Sequence, residues 1–272
     1  MKKILKIKRE TLLYKSKVEY ADYCVNYTEG CSHGCKFPCY AMMQKIRYGS
    51  IKDYADWIKP KIVENALELL DKEIPKLKNK IKTVHLCFTT DPFMYKQGEV
   101  REMTLKIIEK LNANGIKCTV LTKGIFPKQL ADTRKYSKDN EYGITLISLD
   151  NEFRKKYEPG TAPYSSRVNA LKYLHDNGLK TWISMEPYPT PNFVSQNLQN
   201  ILETVKFVKK IVFGKLKYNK KVSEFDDHKI FFQQSADLVI KFCKKNRIEY
   251  HIKSGTQESD NVSTREIFSK KA

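Results

Sequence analysis

Short apolar runs alternate with helical patterns along this 272-residue chain, and this alternation limits the folds that it can adopt. Each run is rich in apolar or β-branched residues, which is typical of strands buried on both faces of a parallel sheet. The predicted strands are Tyr23–Tyr27, Thr83–Phe88, Lys117–Thr122, Ile144–Leu149, Lys180–Met185, Lys210–Gly214 and Glu249–Lys253. The alternation predicts right-handed βαβ units.

Helical patterns lie between several of these runs. The predicted helices are Leu105–Asn114, Ser165–Asn177 and Ser235–Asn246. Gly115 and Gly178 follow the first two, where glycine supplies a left-handed cap, whereas Arg247 stands there after the third. About six or seven strand–helix units predict an α/β fold, a full or partial (β/α)6-type TIM barrel. In such barrels the chemistry lies at the C-terminal ends of the strands.

Composition indicates a globular chain that can bury its core as one domain over residues 1–272. Hydrophobic residues make up 41% and aromatic residues 11%, which excludes a disordered chain. No apolar run approaches the roughly 18 residues of a membrane helix. The first ten residues are charged throughout and lack the apolar stretch of a secretory signal. We therefore expect a cytoplasmic protein that does not enter a membrane.

The formal net charge of +19 favours an anionic partner such as a nucleotide or nucleic acid. Most of the basic residues are lysines, and they are spread along the chain. A general compositional bias toward lysine would produce the same excess. Charge alone therefore leaves nucleic-acid binding open.

Cys31, Cys35 and Cys39 fall within nine residues, in the loop after the first predicted strand. An odd total of seven cysteines and a reducing compartment argue against a disulfide framework. The other four are scattered, and a free cysteine in an apolar stretch is usually a small buried hydrophobe. These four are Cys24, Cys87, Cys118 and Cys243.

Three thiolates on a tight loop can hold three irons of a [4Fe–4S] cubane and leave the fourth iron open for a small molecule. Gly30 and Gly34 allow the loop to curl. The alternative is a structural zinc ion, which needs four ligands and would take His33 as the fourth. No second pair of cysteines or histidines at zinc spacing completes such a site. The loop therefore favours the cluster over zinc.

The loop reads Gly30-Cys-Ser-His-Gly-Cys-Lys-Phe-Pro-Cys-Tyr-Ala41, and further short motifs of other composition follow near the later predicted strands. These later segments are Thr89–Phe93, Leu121–Lys123, Ile147–Leu149, Tyr157–Arg167 and Ser184–Pro187. Together they resemble the radical SAM (S-adenosylmethionine) superfamily, in the branch that contains spore photoproduct lyase, over about residues 22–215. The loop departs from the family pattern because its spacing is C-x3-C-x3-C rather than C-x3-C-x2-C, with Pro38 as the simplest extra residue.

The resemblance implies a partial TIM barrel of the radical SAM type, with a core at about 22–215 and an α/β extension at about 216–272. It implies a [4Fe–4S] cluster on Cys31, Cys35 and Cys39, and SAM bound through its amino and carboxylate groups to the open iron. One electron from a reductant such as flavodoxin or ferredoxin would cleave SAM to methionine and a 5′-deoxyadenosyl radical. The chain would then be a lyase- or oxidoreductase-like enzyme.

Several site residues follow from the same resemblance. Lys123 would pair with the SAM carboxylate, and Thr90 and Asp91 would lie near the SAM amino group. A solvated lysine and an ordinary turn aspartate before proline remain alternatives for Lys123 and Asp91. Ser148 and Glu186, at predicted strand ends, would face the ribose and methionyl parts.

The remaining family features concern aromatic packing and buried groups. Phe37 or Tyr40 would pack on the adenine, and the extra loop residue leaves the choice open. Glu158 and Arg167 are expected to form a buried pair that shapes the pocket.

Spore photoproduct lyase returns a hydrogen atom from a cysteine near its second strand; Cys87 stands one residue upstream of that place. Because one residue reverses side-chain direction in a strand, Cys87 is expected in the core.

The leading hypothesis is radical chemistry on a nucleotide or nucleic acid. The alternatives are radical chemistry on a peptide or small metabolite, and a non-catalytic zinc-bound nucleic-acid-binding module. A polyanionic substrate would meet residues expected near the barrel mouth after the sixth strand, with the aromatic ring stacking on a base. These residues are Lys215, Lys217, Tyr218, Lys220 and Lys221.

Overall fold

The protein is built on one large sheet whose strands run parallel except at one edge. The computed structural model describes residues 4–16, 20–37, 39–77 and 79–257. Its strands are β1 Leu5–Ile7, β2 Leu13–Lys15, β3 Tyr23–Val25, β4 Thr28–Glu29, β5 Lys61–Val63, β6 Thr83–Leu86, β7 Lys117–Thr122, β8 Glu141–Thr145, β9 Lys180–Tyr188, β10 Lys210–Lys215 and β11 Glu249–Ile252.

Helices connect the strands and cover the sheet. They are α1 Tyr40–Arg47, α2 Tyr54–Trp57, α3 Ala66–Leu77, α4 Gly98–Ala113, α5 Asn151–Tyr157, α6 Tyr164–Asp176, α7 Leu198–Thr204, α8 Lys220–Ser223 and α9 His228–Asn246, with a 3-10 turn at Lys128–Ala131. None of the helices in the described ranges is long and apolar enough to cross a membrane.

The main sheet has the order β2-β3-β6-β7-β8-β9-β10-β11. From β3 to β11 every neighbouring pair is parallel, and only β2 pairs antiparallel with β3. Because each parallel strand lies beside its predecessor, the sheet is a partial (β/α) barrel, open between β2 and β11. A small second sheet has the order β1-β5-β4, in which β4 directly precedes the cysteine loop in sequence and β5 follows α2.

Six of the seven predicted strands begin at the predicted residue and end within three residues of the predicted end, whereas one is displaced along the chain. The predicted strand Ile144–Leu149 corresponds to β8, which begins three residues earlier and ends at Thr145. Its register is set by the ladder with β9, in which Glu141 pairs with Lys180. Gly143 pairs with Trp182 in that ladder, and glycine fits there because a β-carbon would overlap the ring of Trp182. The apolar residues at 146 and 147 are buried in the following loop rather than in the strand.

The predicted helices are confirmed, although two of them are longer than expected. α4 begins at Gly98 and α9 at His228, each seven residues before the predicted start. Their early turns mix charged and polar residues with apolar ones, of which Val100 in α4 and Phe232 in α9 are buried. Arg247 takes the left-handed conformation, with φ of 55°, in the cap position after α9. Beyond residue 215, α9 leads to β11, which continues the main sheet because it pairs with β10.

Candidate active site

A cavity of about 520 Å³ opens where the carboxyl ends of the parallel strands meet the cysteine loop. This volume lies in the range of ligand-binding pockets in proteins. All three loop cysteines line it, and so do residues from the ends of β6, β7, β9 and β10. The remaining wall includes Ser184, from the Ser184–Pro187 motif, and four residues that no motif contained: Tyr20, His85, Thr145 and Lys253.

The cysteine loop is held by backbone contacts that only glycine allows. Gly30 and Gly34 have φ of 73° and 55°, in the left-handed region. A side chain at Gly30 would lie 2.7 Å from the carbonyl oxygen of Trp57, which accepts the backbone N–H of Cys31 at 2.8 Å. The hydroxyl of Tyr54 donates to the carbonyl oxygen of Gly34. These contacts fix the loop against α2.

The thiols of Cys31 and Cys35 differ in their surroundings. Burial raises the pKa of Cys31 well above its usual range, and the nearby carboxylate of Asp91 adds to the rise. Burial also raises the pKa of Cys35, to about 11, although the Lys123 ammonium opposes it. A bound metal cation would have to stabilise the thiolate forms, since thiolate is the form that ligates metals.

His33, the candidate fourth ligand for zinc, is already engaged by the protein. Its Nε2 accepts the backbone N–H of Tyr95 at 2.8 Å, and its Nδ1 lies 3.4 Å from Oδ2 of Asp91. The ring is 1% exposed. With His33 held in this way, the three loop thiols fit a cluster in which each thiolate binds a different iron. A closed structural zinc site requires four ligands.

The described residues contain no group of three His, Cys, Asp or Glu side chains arranged around a single metal ion. A cubane cluster does not require such convergence, because its protein ligands lie on separate irons. Pro38, the extra loop residue of the sequence analysis, lies outside the described residues.

Asp91 connects the ends of β6 and β7 to the cysteine loop. Its Oδ1 accepts from Oγ1 of Thr122 at 2.6 Å and from the N–H of Phe93 at 2.9 Å. Its Oδ2 accepts from the N–H of Lys123 at 2.8 Å. Burial alone would raise the pKa of Asp91, but His33 and the hydrogen bonds outweigh burial and lower it. Asp91 therefore shapes the site through protein donors, and a contact with SAM stays a prediction.

Thr90 lines the cavity, where its hydroxyl lies 2.5 Å from that of Thr28. Glu186, in β9, also lines the cavity, and its Oε2 lies 3.6 Å from Nζ of Lys253.

Ser148 departs from its predicted place: it is fully buried, and its hydroxyl accepts the N–H of Asp150. It is not among the described residues that line the cavity. The reason is that β8 ends three residues before Ser148.

Lys123 reaches the cavity wall between a thiol and a carboxylate. Its Nζ lies 3.6 Å from Sγ of Cys35 and 2.6 Å from Oε1 of Glu158. Burial disfavours the charged lysine, but Cys35 and Glu158 outweigh burial and hold the pKa of Lys123 above its usual range. The predicted Glu158–Arg167 pair is confirmed, at 3.1 Å with both side chains fully buried. Burial would raise the pKa of Glu158, yet Lys123 and Arg167 lower it to about 2.

Phe37 and Tyr40 both line the cavity, in different situations. Phe37 is 3% exposed and stacks on Tyr157, with ring centroids 5.4 Å apart and planes 12° from parallel. Tyr40 is 55% exposed, and its hydroxyl accepts a hydrogen bond from the side-chain amide of Gln44 on the same helix. One aromatic ring is thus already packed by protein, and the other has a free face.

Cys87 is both buried and part of the cavity wall. β6 ends at Leu86, and Cys87 has φ of 55°. The alternation of side-chain direction along a strand therefore does not extend to Cys87. Its Sγ lies 3.6 Å from the hydroxyl of Thr28. The expectation that Cys87 belongs to the core is therefore incomplete.

The residues predicted at the barrel mouth divide into two groups. Lys215, Lys217 and Tyr218 line the cavity, and Tyr218 is 74% exposed. Lys220 and Lys221 begin α8 and are not among the described lining residues. The Nζ of Lys217 donates to a backbone carbonyl oxygen of the C-terminal segment at 2.7 Å.

Known proteins resemble this chain in sequence and in fold. An uncharacterized protein of Methanocaldococcus jannaschii is 26% identical over 186 residues, which cover 68% of this chain and 67% of the relative. An uncharacterized protein of Acidianus two-tailed virus is 24% identical over 217 residues, covering 72% and 69%. Spore photoproduct lyase complexed with dinucleoside spore photoproduct aligns with a TM-score of 0.66 and 16% identity, covering 92% of this chain and 81% of that one. At this identity the likeness concerns the fold.

The sequence also matches the model of a protein family over most of its length. The model of the Radical SAM superfamily matches residues 25–208, a span that begins in β3 and contains the whole cysteine loop. It ends just before β10, so it includes most of the parallel strands whose ends surround the cavity. Since the match covers more than half of the chain, this protein belongs to the radical SAM superfamily.

Proposed function

We propose that this protein is an enzyme that binds a [4Fe–4S] cluster through Cys31, Cys35 and Cys39 and uses it to cleave SAM reductively. The observation that carries the proposal is that the three thiols of one loop line the same cavity as Lys123. When bound, the cluster would supply the electron that breaks a carbon–sulfur bond of SAM. The protein's own part is to bind, orient and shield.

We assign the orientation of SAM to groups at the strand ends. Lys123 offers its ammonium to the SAM carboxylate, and Glu186 and Thr90 offer oxygens from other parts of the wall. Asp91 acts indirectly, because its carboxylate holds Thr122 and the backbone of Lys123. We choose Tyr40 rather than Phe37 for the adenine, since Tyr40 has the exposed ring face.

The walls of the cavity would protect a reactive intermediate from water and stray hydrogen donors. The strands around it contribute closely packed side chains, among them Thr145 and Ser184, both less than 5% exposed. The reductant would be a small electron carrier such as flavodoxin or ferredoxin. A cytoplasmic location would supply it together with the reducing conditions that suit seven free cysteines.

We propose a polyanionic substrate, a nucleotide or nucleic acid. The net charge of +19, the two lysines on the cavity wall after β10 and the exposed ring of Tyr218 support this proposal. Spore photoproduct lyase, which has a similar fold, forms a complex with dinucleoside spore photoproduct, and this supports a nucleotide-sized substrate for the present protein. Peptides and small metabolites are the alternative class.

SAM cleavage is tested with anaerobically reconstituted protein, reduced in the presence of SAM. We expect 5′-deoxyadenosine from the wild type and none from Cys35→Ala. Wild-type protein that holds a reducible cluster and releases no 5′-deoxyadenosine would contradict the proposed activity.

The substrate class is tested by nucleic-acid binding at a series of salt concentrations. Each neutralised phosphate adds about −0.7 to −0.9 to the slope of log K against log salt. Changing Lys215 and Lys217 together to Glu should flatten that slope by about two units if both contact phosphates. Lys117→Glu with Lys209→Glu is the matched control, because these exposed lysines stand at the opposite ends of the strands. No binding of DNA or RNA at low salt would shift the assignment to a peptide or metabolite.

A further inference from the structure

Lys123 is held by a protein carboxylate directly beside one of the loop cysteines. Its Nζ lies 2.6 Å from Oε1 of Glu158 and 3.6 Å from Sγ of Cys35. The side chain of Lys123 is 16% exposed, and that of Glu158 is fully buried. The position of this ammonium group is therefore set by Glu158 rather than by solvent.

Glu158 is itself fixed from behind by Arg167. One guanidinium nitrogen lies 3.1 Å from Oε2 of Glu158, and the others donate to the carbonyl oxygens of Thr145 and Ala162, both at 2.9 Å. Arg167 is fully buried. Three hydrogen bonds on a planar guanidinium leave it one orientation. The row of charges from Arg167 through Glu158 to Lys123 is thus anchored in the barrel wall.

The same segment also braces the cysteine loop. The N–H of Lys36 donates to the carbonyl oxygen of Tyr157 at 2.8 Å, on the residue before Glu158. The N–H of Gly160 donates to the carbonyl oxygen of His33 at 2.9 Å. The segment that carries Glu158 and the loop that carries Cys35 are therefore joined through backbone hydrogen bonds, which position the ammonium group relative to the sulfur.

The charges of the row do not cancel. Arg167 and Lys123 carry two positive charges and Glu158 one negative charge, so one positive charge remains in a buried place with the ammonium nearest to Cys35. Charges interact more strongly there than in water. Hydrogen bonds and net charge around cluster sulfurs are the protein's means of setting a reduction potential.

We propose that Lys123, positioned by Glu158 and Arg167, donates a hydrogen bond to the Cys35 thiolate and raises the reduction potential of the cluster. The inference rests on the proposed function, in that a cluster occupies Cys35. Reduction adds one electron from the external reductant and neither forms nor breaks a bond. The ammonium stabilises the added negative charge. Glu158 is a positioning residue that acts through Lys123.

The potential separates this role from the predicted contact between Lys123 and SAM. A lysine that serves only as a SAM ligand leaves the potential of the SAM-free protein unchanged. A lysine bonded to Cys35 alters that potential before SAM is added. The experiment is therefore a redox titration of the cluster-loaded protein without SAM, followed by electron paramagnetic resonance.

Lys123→Met should lower the SAM-free potential by about 59 mV or more, which is a tenfold change in the equilibrium constant of a one-electron couple. Arg167 still balances Glu158 in this variant, so no unpaired buried charge is left. Lys123→Arg should restore most of the potential. Lys217→Met is the matched control, since Lys217 lines the same cavity but donates to a backbone carbonyl oxygen, and its potential should equal that of the wild type.

Glu158→Asp tests the positioning role, because it keeps the charge and shortens the side chain by one methylene group. We expect its potential to move toward that of Lys123→Met as the ammonium is drawn away from Cys35. An unchanged potential in Lys123→Met would overturn the inference, and an unchanged potential in Glu158→Asp would overturn the part given to Glu158. Wild-type protein that takes up no cluster would instead refute the proposed function.

Discussion

Gly160 donates its backbone N–H to the carbonyl oxygen of His33, 2.9 Å away, where the loop after α5 meets the cysteine loop. A β-carbon on Gly160 would lie 2.1 Å from the carbonyl oxygen of Ser32 and 3.0 Å from Cα of His33. Both neighbours are backbone atoms, which cannot turn away as the end of a side chain can. The two segments touch because residue 160 has no side chain.

Gly160→Ala should therefore displace the cysteine loop and reduce the iron content after anaerobic reconstitution to a small fraction of wild type. Overpacking of this kind typically costs about 1–3 kcal/mol of stability, which a urea titration measures. Gly98→Ala is the control, because a β-carbon at Gly98, the first residue of α4, meets nothing within 4 Å. Normal iron content in Gly160→Ala would show that the contact does not position the loop.

The assignment of the cluster ligands predicts a clear division among the seven cysteines. Changing Cys31, Cys35 or Cys39 to Ala should remove most of the iron and all reductive cleavage of SAM. Cys87→Ala and Cys243→Ala should retain the cluster, because both thiols are buried outside the loop. Iron per chain and the brown absorbance of the reconstituted protein measure the outcome. Loss of iron from Cys87→Ala as complete as from Cys35→Ala would refute the ligand assignment.

The strands could be predicted from the sequence where apolar residues and ladder pairing coincide. Lys117–Thr122 is such a case, and β7 has these exact limits. At β8 the apolar run and the ladder pairing do not coincide. The ladder with β9 begins at Glu141, and the apolar run continues past the strand into a buried loop. The short strands β1, β4 and β5 have only two or three residues each, too few to show a period.

The site was predictable where chemistry is concentrated in a local motif, as in the cysteine loop and at Lys123. It was not predictable where residues distant in sequence meet. Lys253 reaches the cavity only because β11 pairs with β10, and Tyr20 stands outside every motif. His85 carried one signal, a single polar residue within an apolar strand, which points to the barrel interior.

Lys123→Met should also weaken SAM binding by about ten- to a hundredfold. The change removes a charge-assisted contact with the SAM carboxylate, worth roughly 1.5–3 kcal/mol. Calorimetric titration of cluster-loaded protein measures the affinity, with Lys217→Met, from the cavity wall after β10, as a comparison. An affinity equal to that of the wild type would remove Lys123 from the SAM site while leaving its proposed effect on the potential to be judged separately.

His85 gives the folded protein a defined dependence on pH. The ring is 3% exposed, its Nδ1 lies 2.8 Å from the hydroxyl of Thr119, and burial lowers its pKa to about 4. An unfolded histidine has a pKa of about 6.5. Between these values the unfolded chain binds a proton that the folded chain does not, so stability falls as the pH falls through this window. Well above pH 6.5 the residue is neutral in both states and contributes no pH dependence.

The expected loss is up to about 1.4 kcal/mol per pH unit, or about 2 kcal/mol between pH 7 and pH 5. His85→Gln retains an amide that can bond to Thr119 but does not titrate. Its free energy of unfolding should therefore decline less than that of the wild type over this interval, by about that amount. Urea titrations of the two cluster-free proteins at pH 7 and pH 5 give the comparison, and taking their difference cancels the other titrating groups. Equal declines in both proteins would mean that His85 is protonated in the folded state as readily as in the unfolded chain.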